Sequence, residues 1–116
     1  MSDYQRSIEA ISRAETATRQ GDEAGARAAY AEAAAMQGAW VARLGADKPR
    51  TRSVYTASVV ALHYKAGDFE RARRLGSDAL SQPWLMGYSA ARIREVLASL
   101  PPVQQTTSPD STKGAR

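Results

Sequence analysis

The 116-residue chain has no cysteine and no long apolar run. Without cysteine it can form neither disulfide bonds nor thiolate metal sites. No segment approaches the roughly 20 consecutive apolar residues that a transmembrane helix requires. The first residues, Met1 to Arg6, are not followed by the apolar segment of a secretory signal peptide. These absences predict a cytoplasmic protein without a membrane span.

The chain also lacks a strong excess of charge of one sign. Its 16 basic and 12 acidic residues give a formal net charge of +4 and a pI near 9.8. Hydrophobic residues make up 43% of the sequence and charged residues 24%, which is ordinary for one globular domain. Because the basic surplus is small and mixed with acids, it argues against nucleic acid as the main partner.

Histidine is scarce, and His63 is the single one. A catalytic histidine needs an orienting carboxylate and a nucleophile, and the sequence places neither near His63. No group of His, Asp and Glu has the spacing of metal ligands. The glycines form neither a P-loop nor a dinucleotide-binding motif. The sequence therefore predicts neither an enzyme nor a bound cofactor or metal, and it assigns His63 a structural role.

What the chain does contain is a short pattern that occurs twice. Gly21-Asp22 and Gly67-Asp68 each follow one helix-like segment and precede another. Glycine can end a helix in a left-handed conformation, and aspartate can cap the next helix. In both copies alanines follow five and 12 residues after the glycine, at Ala26 and Ala33 and at Ala72 and Ala79. The pattern predicts an antiparallel helix pair used twice.

Apolar residues that recur every three or four positions predict five helices and an all-α fold. The expected bounds are about 3–20, 23–44, 51 or 53–65, 69–80 and 89–100. Gly38 leaves open whether the second helix is continuous, and Pro49 favours a loop over residues 45–52. The third segment is rich in β-branched residues, but its alanines and the following Gly67-Asp68 turn favour a helix. Residues 1–100 form the predicted domain, and 101–116 a disordered C-terminal tail.

The segment from Ser53 to Pro83 resembles a tetratricopeptide repeat. Its matching positions are Gly67, Asp68, Phe69, Ala72, Ala79, Leu80 and Pro83. The segment from Ser7 to about Met36 is similar through Gly21, Asp22, Ala26, Tyr30 and Ala33. The resemblance implies a tetratricopeptide-like stack of two antiparallel helix hairpins, followed by a C-terminal capping helix. Thr56 and Gly76 depart from it, because the family prefers large aromatic residues at those positions.

The resemblance also implies a non-catalytic protein–protein interaction module, an adaptor or a small subunit of a complex. In that family the first helix of each pair lines a groove for a partner peptide or helix. Here the implied groove residues are Ile8, Ile11, Glu15, Thr18 and Arg19, then Val54, Ala57, Ala61, Tyr64 and Lys65. Of these, Arg19 and Lys65 would orient an acidic group of the partner. Because two repeats fall short of the roughly three that a self-sufficient stack needs, self-association into a homo-oligomer is a further expectation.

Two other features offer alternative interfaces. Trp84 follows Pro83 in an apolar connector, where it could anchor a partner or pack in the core. The basic residues Lys48, Arg50, Arg52, Arg71, Arg73, Arg74, Arg92 and Arg94 would contact phosphates if they met on one face. A basic nucleic-acid-binding accessory protein is therefore the alternative function. Its binding would weaken steeply with salt, whereas binding in an apolar groove would not.

Overall fold

A computed structural model of the chain describes residues 2–102, which contain five α-helices and no β-strand. The helices are α1 (Asp3–Arg19), α2 (Glu23–Ala42), α3 (Pro49–Lys65), α4 (Phe69–Leu80) and α5 (Gly87–Ser99). The prediction of an all-α protein is confirmed. The disordered tail predicted for residues 101–116 lies outside the described residues, apart from Pro101 and Pro102.

The two glycine–aspartate turns have the same geometry. Gly21 and Gly67 have φ of +77° and +82°, in the left-handed region that glycine adopts without strain. The amide after each glycine donates to the carbonyl five residues back, at 2.8 Å for Asp22 and 2.9 Å for Asp68. The aspartate side chains then cap α2 and α4 by accepting from backbone amides, those of Gly25 and Arg71.

The start of α3 differs from the sequence prediction. Residues up to Arg52 were expected to form a loop, but α3 begins at Pro49. Proline suits the first helical position, since its fixed φ is helical and its missing N–H needs no partner there. Proline disfavours a helical backbone conformation at the residue before it. That residue is Lys48, whose φ of −127° and ψ of 58° are not helical. Gly38 does not interrupt α2, which is continuous to Ala42.

Helices α1 and α2 pack antiparallel. Asp3 at the start of α1 pairs with Arg43 just after α2 at 3.0 Å, and Arg13 forms two hydrogen bonds with Glu32. Between these two pairs, the buried Gln37 Nε2 donates to the Ser7 Oγ at 3.3 Å. This order of contacts fixes the register of the pair.

Helix α3 packs antiparallel to α2 and therefore runs parallel to α1. Trp40 of α2 packs edge-on against Tyr55 of α3, with ring centroids 4.9 Å apart, and Gly38 lies opposite Val59. The Tyr4 hydroxyl of α1 reaches the Tyr55 hydroxyl at 3.2 Å. One aromatic cluster of Tyr4, Trp40 and Tyr55 thus joins the three helices at one end.

The core consists of two small clusters. Ala10, Ala33, Ala34 and Leu62 form the cluster shared by α1, α2 and α3. Ala57, Val60, Ala72, Ala79 and Ile93 form the cluster shared by α3, α4 and α5. Since alanine has little bulk, the helices approach closely, and the bulky half-buried side chains close the edges of each cluster.

Helix α5 packs on both α3 and α4. Ile93 and Leu97 lie directly over Gly76 of α4, where a side chain would meet them at 3.2 and 3.0 Å. The connector before α5 is held to α3 by Ser53, whose Oγ donates to the Trp84 carbonyl and accepts from the Met86 amide. None of the five helices combines the length and apolarity that crossing a membrane requires.

Candidate functional site

One strip of helix α3 belongs to neither of the two core clusters. Ala57 and Val60 face α4 and α5, whereas Tyr55 and Leu62 face α1 and α2. At helical spacing, the strip between these two sides carries Val54, Ser58, Ala61 and Lys65. Val54 at one end is 39% exposed, whereas Ala61 near the middle is only 8% exposed. Small residues, Ser58 and Ala61, therefore occupy the middle of this strip.

Helix α1 has a matching strip. Ala10 and Ala14 are buried on the side of α1 that packs on α2, and Ile11 packs on the cluster that contains Leu62. The remaining strip carries Ile8, Glu15 and Arg19 at helical spacing. We call the surface formed by Ile8, Glu15, Arg19, Val54, Ser58, Ala61 and Lys65 the α1–α3 groove.

The apolar and charged residues of this groove are separated along the helices. Ile8, 45% exposed, and Val54 lie in the N-terminal halves of α1 and α3. Arg19 and Lys65 are the last residues of the same two helices. Arg19 donates to the Thr16 hydroxyl at 3.2 Å. The Lys65 ammonium lies 5.6 Å from the centre of the Tyr30 ring. Because α1 and α3 are parallel, Ile8 and Val54 lie toward one end of the groove, and Arg19 and Lys65 lie at the other end, with Glu15 one turn before Arg19.

Not every residue predicted for the groove lies on its surface. Ala57 is 1% exposed and belongs to the core cluster against α4 and α5, so its side chain cannot contact a partner. Tyr64 is half-buried beside it, with its ring 5.8 Å from that of Phe69. Both lie on the side of α3 that packs on α4 and α5, apart from the strip that carries Val54 and Lys65. Ile11 is half-buried in the core on the α3 side of α1.

Trp84 lies elsewhere, at a cleft between α2, α3 and α4. The cleft is lined by Gly38, Val41, Ala42, Arg52, Thr56, Val59, Leu75, Asp78, Ala79, Gln82 and Trp84, and its volume is about 270 Å³. We call it the Trp84 cleft. The Arg52 guanidinium stacks over the Trp84 ring, 4.1 Å from its centre. The lining residues come from four separate segments, so no local sequence pattern could identify them.

His63 lines an open surface depression. Its neighbours there are Arg71, Arg74, Leu75 and Asp78. Burial lowers the pKa of His63, and the nearby Arg71 lowers it further, against the opposing effect of Asp68. Among residues 2–102, no three His, Asp or Glu side chains gather in a way that could hold a metal ion.

Three of the basic residues, all on α4, have partners within the chain. Arg71 pairs with Asp68 at 3.3 Å and Arg74 with Glu70 at 2.9 Å, while Arg73 donates to the Pro101 carbonyl. On the other hairpin the hydrogen bond from Arg13 lowers the pKa of Glu32. These pairs are exposed, so each contributes little to stability. They do place carboxylates among the basic groups.

Comparisons of this chain with protein-family models, curated proteins and solved structures found no match. The resemblance to tetratricopeptide repeats therefore stays a prediction. The assignment of a function depends on the two surfaces described above, the α1–α3 groove and the Trp84 cleft.

Proposed function

We propose that the chain is a non-catalytic protein-interaction module that binds a partner peptide or helix in the α1–α3 groove. The observation that carries this proposal is the exposure of Ile8 and Val54, each the sixth residue of its helix, on two parallel helices that both pack on α2. A Val or Ile side chain gains roughly 1.5–3 kcal/mol from full burial. Because the Ile8 and Val54 side chains are about half exposed, burial by a partner would provide about half of that free energy for each of them.

The same proposal includes a tetratricopeptide-like arrangement of the helices. The identical turns at Gly21 and Gly67 support it, as does the packing of α5 on both α3 and α4. In this arrangement α1 and α3 are the first helices of the two pairs, and α5 is the cap. The groove would then be lined by the first helix of each pair, as the resemblance implies.

The charges specify the kind of partner. Ile8 and Arg19 are 11 residues apart on α1, and so are Val54 and Lys65 on α3. At 1.5 Å per residue each pair spans about 16 Å. A suitable partner carries an apolar side chain and an acidic group separated by that distance. This corresponds to about 11 residues of a helix, or about five residues of an extended peptide.

The test is a selection from a displayed library of random 16-residue peptides, followed by affinity measurements on purified variants. Val54→Glu places a carboxylate at the end of the groove that carries Ile8 and should weaken selected peptides at least tenfold, about 1.4 kcal/mol. Lys65→Glu should weaken the acidic peptides in the same way. Phe69→Glu is the matched control, since Phe69 is 36% exposed and lies on α4, outside the groove.

Two results would overturn this proposal. One is a set of selected peptides that bind Val54→Glu and wild type equally. The other is a selection from which no peptide prefers wild type to the double variant Ile8→Glu/Val54→Glu. Light scattering adds the oligomeric state: a dimer that Val54→Glu dissociates would identify a second copy as the occupant of the groove.

A further inference from the structure

The Trp84 cleft is separate from the α1–α3 groove and does not depend on the function proposed for it. Its walls are the C-terminal ends of α2 and α4, and α3 runs between them. Val41, Val59, Leu75 and Ala79 give the cleft an apolar interior. A concave apolar surface with a few polar groups at its edge is the usual form of a small-molecule site.

The polar groups at the edge have a specific arrangement. Arg52 is half-buried, and its guanidinium carbon lies over the Trp84 ring, 4.1 Å from the ring centre. Its N–H groups are the hydrogen-bond donors that this edge of the cleft offers. Within residues 2–102 it forms no ion pair with a carboxylate. A stacked guanidinium is fixed in orientation and can donate two parallel hydrogen bonds to a carboxylate.

The remaining edge of the cleft limits the charge of a ligand. Asp78 also lines it, from α4, and would repel any anion, a doubly charged one twice as strongly as a singly charged one. Gln82 lines the same end and can donate or accept a hydrogen bond. A volume of about 270 Å³ lies just below the usual range for ligand sites, so the cleft holds one side-chain-sized group rather than several residues of a peptide.

We propose that the Trp84 cleft binds a small monocarboxylic acid with an apolar body. The carboxylate accepts hydrogen bonds from Arg52, and the apolar body lies on Val59 and Leu75. A peptide that ends in an apolar residue has the same chemistry at its carboxyl terminus. The free acid is preferred because the cleft is short.

The experiment is a titration of the isotope-labelled chain with 4-phenylbutyrate, followed by NMR. The chain has two tryptophans, so two indole N–H signals report on two places. The Trp84 signal should move with added acid. The Trp40 signal, from the aromatic cluster with Tyr4 and Tyr55, should stay in place and serves as an internal reference. The uncharged 4-phenylbutanamide should bind at least tenfold more weakly.

Variants separate recognition of the carboxylate from effects on folding. Arg52→Gln should weaken the acid about tenfold or more and should leave binding of the amide unchanged. Asp78→Asn should strengthen binding of the acid, because a repelling carboxylate is removed. Arg50→Gln is the matched control, since Arg50 is exposed, lies two residues from Arg52 and does not line the cleft. Ala42→Gln should obstruct the cleft from its rim by added bulk, without adding a charge and without entering the core.

Several outcomes would overturn the proposal. Equal affinity for the acid and the amide would remove the role of Arg52, as would unchanged binding of the acid to Arg52→Gln. Movement of the Trp40 signal alone would place the ligand elsewhere. If acetyl-Gly-Gly-Phe with a free carboxyl terminus bound as tightly as 4-phenylbutyrate, the ligand class would be the carboxyl terminus of a peptide and not a small acid. None of these results bears on peptide binding to Val54→Glu, so the two proposals fail independently.

Discussion

The Tyr4 hydroxyl lies 3.2 Å from the Tyr55 hydroxyl, although the two residues are 51 positions apart in the chain. Trp40 packs against both rings, with centroids 5.0 Å from that of Tyr4 and 4.9 Å from that of Tyr55. The cluster is the aromatic contact by which the first hairpin holds α3. Its hydrogen bond raises the pKa of Tyr55, and burial raises it further.

Removing this hydrogen bond should change both stability and titration. Tyr4→Phe should lower the free energy of unfolding by about 1 kcal/mol and lower the pKa of Tyr55 toward its ordinary value of about 10. Because the folded pKa is raised, the stabilisation is present below pH 10 and disappears as pH rises through the folded value. Urea unfolding and ultraviolet titration measure the two effects. An unchanged pKa of Tyr55 in Tyr4→Phe would contradict the hydrogen bond between the two hydroxyls.

The two turn glycines should resist substitution. Gly21→Ala forces a side chain into φ of +77° and should destabilise the fold by about 1–2 kcal/mol, although nothing lies within 4 Å of the added carbon. Gly67→Ala should cost at least as much, since the Arg27 Cδ is 3.1 Å away as well. Gly87→Ala, at the open start of α5, is the control and should be neutral or slightly stabilising. Thermal unfolding of the three variants tests this order.

Two glycines inside helices should respond in opposite directions. Gly38→Ala adds a carbon 3.7 Å from the Val59 Cγ1, an ordinary contact, and should stabilise α2 by about 0.5–1 kcal/mol. Gly76→Ala places the carbon 3.0 Å from Leu97 and 3.2 Å from Ile93, so it should destabilise the α4–α5 packing by about 1 kcal/mol. Denaturant midpoints measure both. Stabilisation by Gly76→Ala would show that α5 can shift without cost.

The buried amide of Gln37 offers a stabilising substitution. Gln37 is 1% exposed, and no residue from 2 to 102 donates a hydrogen bond to its Oε1. Gln37→Met removes that group, while the Ser7 hydroxyl keeps its own bond to the Tyr4 carbonyl at 2.6 Å. We expect a gain of about 1 kcal/mol. Ser7→Ala is the opposite control, since it deprives the Gln37 Nε2 of its acceptor and should destabilise.

His63 should make the stability depend on pH near neutrality. Its pKa in the folded chain is lowered, chiefly by burial, so the unfolded chain binds a proton at higher pH than the folded chain does. Stability should therefore fall as pH decreases from about 7.5 through the ordinary value of about 6.5. His63→Gln should flatten this part of the profile. Urea unfolding at several pH values checks the slope, and an unchanged slope in His63→Gln would assign it to other groups.

The local features of this protein follow from the sequence alone. Gly21-Asp22 and Gly67-Asp68 determine their turns, because only the sequentially adjacent residues take part in a helix cap. The predicted bounds of α4 agree with the structure, and those of α1 and α5 agree within a few residues. The all-α class follows from the 3.6-residue period of the apolar positions.

Tertiary structure decided the surfaces that those helices form. Ala57 and Ala61 are four residues apart on α3, yet α5 covers Ala57, and Ala61 lies in the strip that lines the groove. Sequence spacing could not separate them, because it does not contain the position of α5. The stack of Arg52 on Trp84 likewise joins residues that are 32 positions apart. Side chains that meet across the chain do so through packing of whole helices, and the sequence pattern of each helix determines only the face that it buries.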